Sequence, residues 1–182
     1  MMIAIKRIIL LVGLLLLVGC TDVPDSSHVF YKRGVDLNNN NDPEAGLSFK
    51  DAMLMFDESL RIKPNFYEGW IRRGDVAMQY RAFEEAATSY KRAILINPNA
   101  AEAYRKRGDA YYRQAKYQQA SKDFQQAMVL DPSDPTAPLN LCYIYVAFKQ
   151  YKVADRYCGR VLQLQPGNPY ALKLQSIMNR GG

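Results

Sequence analysis

Histidine occurs once, at His28, and no acid or nucleophile forms a motif with it. A chain so equipped lacks a ready proton-transfer pair, and no enzymatic activity is expected of it. There is no glycine-rich phosphate loop and no Cys/His spacing suited to a metal, so no cofactor is expected either. Asp36, Asn38, Asn40 and Asp42 alternate like calcium-loop oxygens but lack the glycine and closing glutamate, and read as a solvated turn. An excess of one charge is missing too. Lys and Arg number 24 against 18 Asp and Glu, interleaved along the chain. Setting aside residues 1–19, which hold Lys6 and Arg7, leaves 22 against 18, too even for nucleic acid. The apolar stretch Ile8 to Val18 is shorter than the about 20 residues a membrane span needs. With 48% apolar and 23% charged residues, what remains is an ordinary folding chain.

That chain repeats itself every thirty-four residues. Trp70, Gly74, Ala86, Tyr90 and Pro98 precede Tyr104, Gly108, Ala120, Phe124 and Pro132 by this interval. Tyr145, Ala154, Cys158 and Pro166 follow Tyr111, Ala120, Phe124 and Pro132 by the same interval. Within 101–134, Tyr104, Gly108, Tyr111 and Tyr112 make one helical face, and Tyr117, Ala120, Phe124, Ala127 and Met128 make another. Each unit (67–100, 101–134 and 135–168) therefore reads as two amphipathic helices. Proline stops the second helix of each, and Asn65, Asn99, Asp134 and Asn168 are placed to cap the next first helix. Pro135 and Pro169 suit first helical positions. Gly74, Gly108, Ala86, Ala120 and Ala154 would let paired helices approach. Trp70, Tyr90, Tyr104 and Phe124 would fill the space between pairs. A degenerate unit, 27–66, keeps Phe30, Gly34, Ala52, Phe56, Ser59 and Pro64, with six extra residues in the turn around 38–44. Residues 169–182 read as a capping helix and tail, Leu172 and Leu174 covering the open end while Lys173, Gln175, Asn179 and Arg180 face water.

This pattern resembles the tetratricopeptide repeat family, whose units carry an aromatic, Leu-Gly, Tyr, Ala, Phe and Pro at set offsets. The unit 101–134 shows Tyr104, Arg107-Gly108, Tyr111, Ala120, Phe124 and Pro132. The unit 67–100 has Ala77 in place of the tyrosine, and 135–168 has Pro138 and Cys142 in place of the aromatic and the glycine. The resemblance implies an all-α, right-handed solenoid of helix pairs whose concave face binds a protein or peptide. Its inward positions here are Ile71, Arg72, Asp75 and Met78; Arg105, Asp109, Tyr112 and Arg113; and Leu139, Asn140, Tyr143 and Val146. Some relatives hold a terminal carboxylate there with Lys and Asn; Asp75 and Asp109 stand where that asparagine would be. The tripeptides Arg73-Gly74-Asp75 and Arg107-Gly108-Asp109 occupy one repeat position, so the repeat accounts for them.

Two further features bear on location. Residues 1–19 have the parts of a secretory signal, and Leu17-Val18-Gly19-Cys20 resembles the lipobox of bacterial lipoproteins. That resemblance implies acylation at Cys20, and Thr21 in place of aspartate favours an outer membrane facing the periplasm. Residues 20–26 then form the lipidated cysteine and tether, reaching about 25 Å at most from Cys20 to Ser27. Cys142 and Cys158 lie eight residues either side of Gln150, opposite each other across an antiparallel pair. They suit a disulfide in an oxidising compartment; otherwise they are small buried hydrophobes. The expectation is a lipid-anchored scaffold for an envelope partner, similar to lipoproteins of pilus or secretin assembly. An adaptor for peptidoglycan enzymes and a self-assembling structural lipoprotein are the alternatives, and oligomeric state stays open.

Overall fold

A computed structural model of the protein describes residues 49–181 together with Ser27, Val29, Lys32, Arg33 and Val35, all five helical. The expected signal segment 1–19, Cys20 and tether, with His28, Phe30, Gly34 and the expected turn around 38–44, lie outside the described residues. Eight helices run through 49–181: α1 (Phe49–Ile62), α2 (Tyr67–Gln79), α3 (Phe83–Ile96), α4 (Ala101–Arg113), α5 (Tyr117–Leu130), α6 (Thr136–Ala147), α7 (Tyr151–Leu164) and α8 (Pro169–Gly181). No strand occurs among the described residues. Packing is between neighbours in sequence, from α1 on α2 through to α8 on α6 and α7. The result is a linear stack of helix pairs.

Within each pair a first helix turns into its partner over three residues. The turns place Arg81, Ala115 and Lys149 at φ of 63°, 58° and 57°, one repeat position in the left-handed region, with no glycine in use. Their backbone bonds are those of a Schellman ending: the Lys116 N–H donates to the Tyr111 carbonyl at 2.9 Å and the Ala115 N–H to that of Tyr112 at 3.0 Å. Sequence offered no cue for these turns, because the residue types there are ordinary.

Between pairs, the capping expectation divides. The Asp134 carboxylate accepts from the Thr136 N–H at 2.8 Å, and the Asn168 side chain accepts from the N–H groups of Tyr170 and Ala171. Asn65 and Asn99 do not cap: α2 and α4 start behind Phe66 and Ala100 without a side-chain bond. In the second of these turns it is Asn97, ahead of the proline, whose side chain accepts the Asn99 N–H.

The aromatics fill space within pairs as well as between them. Tyr90 and Phe124 are fully buried, each ring lying where a Cβ on Gly74 or Gly108 would sit, in clusters that take in Ala103 and Ala110 or Ala137, Leu141 and Ile144 of the next unit. Tyr104 and Tyr111 each pack on two of these cores and bridge pairs. At the far end, α8 closes the stack with Ala171, Leu174 and Met178, spaced as one helical face. Leu172 was expected to help, yet it stays 47% exposed. No helix among the described residues covers that position. The described residues of 27–66 pack similarly: Ala52, Met53 and Phe56 enclose Val76 with Val35 against them. The Ser59 hydroxyl donates to the Ser27 carbonyl at 2.7 Å.

Candidate partner-binding face

The first helices α2, α4 and α6 are tied side by side by side chains thirty-one residues apart. The Asp75 carboxylate accepts from Lys106 Nζ at 2.7 Å and from the Tyr90 hydroxyl at 2.8 Å. One unit on, Asp109 accepts from Asn140 Nδ2 at 3.0 Å. The next step would pair Tyr143 with Leu174, and both belong to the terminal apolar cluster. The ladder thus runs from an ion pair through a hydrogen bond to an apolar contact.

This ladder changes the standing of the twelve sequence-chosen positions. Ile71 is 3% exposed and offers no surface to a partner; it is core, packed with Tyr90 and Ala103. Met78 leans on the same core. Arg72 pairs with Glu68 at 3.1 Å, and Arg105 reaches Asp134 at 3.4 Å and Asp109 at 3.7 Å. Burial raises the Asp109 carboxyl to about 6, against the pull of Arg105, Arg113 and Lys106, with Asp134 adding repulsion. Arg113 is exposed and forms no ion pair among the described residues. The charged part of the face is therefore mostly paired within the molecule, Asp75 and Asp109 across units and Arg72 and Arg105 within their own.

The other end is different. Leu139, Tyr143 and Val146 are half-buried against the terminal core. The Tyr143 phenol is pushed above its ordinary range by burial and by the nearby Tyr170 and Tyr112. Tyr112 is 40% exposed and Tyr170 58%. The same helix that brings Tyr170 also leaves Ile177 exposed. Sequence reasoning assigned α8 to capping alone and so missed Tyr170 and Ile177, although they occupy its second and ninth positions, as Glu102 and Asp109 do in α4. From Tyr112 an edge-to-face run continues to Tyr117 at 5.6 Å and Phe148 at 5.2 Å. Below this surface, Cys142 and Cys158 are joined by a disulfide, Cα atoms 5.4 Å apart, fully buried between α6 and α7. No group of His, Cys, Asp and Glu suited to a metal occurs among the described residues.

Residues 82–115 match the family described as TPR repeat, and residues 101–134 the tetratricopeptide repeat. Residues 82–134 thus carry the tetratricopeptide repeat pattern, and the helix pairs have that repeat's fold. Solved structures agree on the fold. MamA from Desulfovibrio magneticus RS-1 is 23% identical, with a TM-score of 0.69 over 80% of this chain and 78% of that one. YrrB, described as a TPR protein with an unusual peptide-binding site, is 20% identical with a TM-score of 0.70, covering 84% of this chain and 75% of that one. The first TPR of Spaghetti (RPAP3), bound to the HSP90 peptide SRMEEVD, is 23% identical with a TM-score of 0.58, covering 63% and 94%. No curated protein matches the chain. The tetratricopeptide repeat fold suits protein–protein interaction. No helix among the described residues is long and apolar enough to cross a membrane.

Proposed function

We propose that the protein is a lipid-anchored scaffold of the bacterial envelope that grips a partner segment at the C-terminal end of its repeat face. The observation that carries this reading is the delivery of Tyr170 by α8 beside Tyr143 and Tyr112. It leaves exposed aromatic surface where the rest of the face is paired with itself. Tyrosine suits such a site, since its ring buries area while its hydroxyl finds a partner. Arg113 at the margin adds a cation for an acidic or carboxylate-bearing segment. Anchorage through Cys20 is supported by the lipobox-like Leu17-Val18-Gly19-Cys20, and the buried Cys142–Cys158 bridge suits an oxidising compartment. Within the envelope, assembly of pili or secretins is the role we favour, with the outer membrane as the site of anchorage.

Crosslinked pull-down from envelopes tests this. Tyr112→Asp and Tyr170→Asp change exposed side chains and leave the fold intact. Loss of the same captured partner in both variants is the expected result. Capture unchanged in both sinks the groove reading, and a stable homo-oligomer dissolved by either substitution points to self-assembly instead.

A further inference from the structure

Away from the groove, the edge carrying the ends of α1, α3 and α5 has a chemistry of its own. Leu95 and Val129 sit in the last turns of α3 and α5 at one repeat position, and are 65% and 69% exposed. A water-facing pair this apolar at repeated positions is not core. Leu95 lines one crevice between units, and the neighbour of Val129, Met128, lines another. The first is lined by Pro64, Asn65, Trp70, Arg92, Leu95 and Ile96. The second includes Met128, Pro132, Arg156 and Arg160. Arg92, Arg156 and Arg160 form no ion pair among the described residues; Arg160 donates instead to the Pro132 carbonyl at 2.9 Å. Aliphatic surface, an indole and uncompensated guanidinium groups together match the boundary of an anionic bilayer.

The path of the chain points the same way. The Ser27 carbonyl is held by the Ser59 hydroxyl, and the Ser59 carbonyl accepts the Lys63 N–H at 2.9 Å. Lys63 leads directly into Pro64 and Asn65, which line the first crevice. Whatever holds Cys20 therefore holds this edge, with seven residues, Thr21 to Ser27, between. We infer that this edge docks on anionic lipid headgroups, Leu95 and Val129 entering the interface and the arginines meeting phosphate. The repeat face is thereby held at a fixed attitude to the membrane. The inference rests on the anchorage proposed above.

Trp70, the only tryptophan, reports on the crevice. The full chain is reconstituted in phosphatidylethanolamine–phosphatidylglycerol vesicles with and without brominated acyl chains, and Trp70 emission is compared. Quenching by the brominated lipid is expected, and the double variant Leu95→Asp, Val129→Asp should lose at least about half of it. Circular dichroism of the variant checks that it remains folded. Equal emission in both vesicle types, with the protein sedimenting with them, overturns the docking while leaving the anchor intact. A shift of Trp70 emission by an acidic peptide but not by vesicles also overturns it, assigning the crevices to protein. Mass measurement of the Cys20 peptide judges the anchor separately, and a chain that stays in the supernatant defeats both readings.

Discussion

At the scale of single residues, the tripeptide Arg107-Gly108-Asp109 shows how one stretch serves three neighbours. Arg107 faces the second helix of its own pair and meets the buried Asp123 through two 2.7 Å bonds. Gly108 leaves room for the Phe124 ring, and Asp109 reaches the next unit at Asn140. A Cβ on Gly108 would come 2.8 Å from Phe124 Cε1, whereas one on Gly159 would meet nothing within 4 Å. The same substitution should therefore have opposite signs at the two sites. Gly108→Ala is expected to cost about 1–3 kcal/mol through overpacking, and Gly159→Ala to gain up to about 1 kcal/mol from helix propensity, both read from urea midpoints. Asp109 supplies a pH test. Its folded-state proton is held up to about 6, against 3.8 ordinarily, so the folded form binds the proton more tightly than the unfolded chain. Its contribution to stability therefore declines as pH rises from about 4 to about 6 and is level above that. Asp109→Asn should flatten this slope between pH 4.5 and 7. The gain at pH 7 should stay below about 1 kcal/mol, because solvent screens a side chain that is 35% exposed.

At the scale of elements, the pairs are held by different means. In 101–134 the Arg107–Asp123 pair is buried between α4 and α5, the carboxylate side chain being 8% exposed. Asp123→Ala would strand the guanidinium and should destabilise by about 3 kcal/mol. In 135–168 the same repeat positions are Leu141 and Tyr157, and the disulfide takes over the clamping. A bridge across a sequence separation of 16 contributes about 3 kcal/mol by chain entropy, so reduction should lower the melting temperature of the intact protein. Hydrogen exchange should show the loosening concentrated in α6, α7 and α8, since repeat units couple chiefly to their neighbours. The three-residue turns carry a smaller, shared strain. Ala115→Gly removes the cost of placing a Cβ-bearing residue at φ 58° and should stabilise by about 1 kcal/mol.

At the scale of the molecule, the stack carries the two surfaces proposed above, the repeat face and the edge at Leu95 and Val129. Its polar ladder, from Asp75–Lys106 to Asp109–Asn140, serves cohesion, and the proposed partner site lies where the ladder turns apolar beyond Asn140. If the partner segment enters there, its binding should protect Tyr112 and Tyr170 while leaving the pairing of Arg72 with Glu68 untouched. Aromatic proton shifts of the two tyrosines on titration with a captured segment would measure this.

The helices and their order were legible in the sequence, because a thirty-four-residue period with helical apolar spacing at Tyr117, Ala120 and Phe124 admits few other structures. So was the facing of Cys142 and Cys158, which follows from counting outward from a turn. The turn conformations at Arg81, Ala115 and Lys149 were not, since tertiary packing imposes φ > 0 on residues that do not seek it. Nor was the fate of each face position. Ile71, Arg105 and Tyr112 are all inward positions of the repeat, yet one is core, one is in an ion pair and one is exposed. A repeat pattern states which way a side chain leaves its helix. Only the neighbouring helix decides whether water, a carboxylate or another side chain is waiting there.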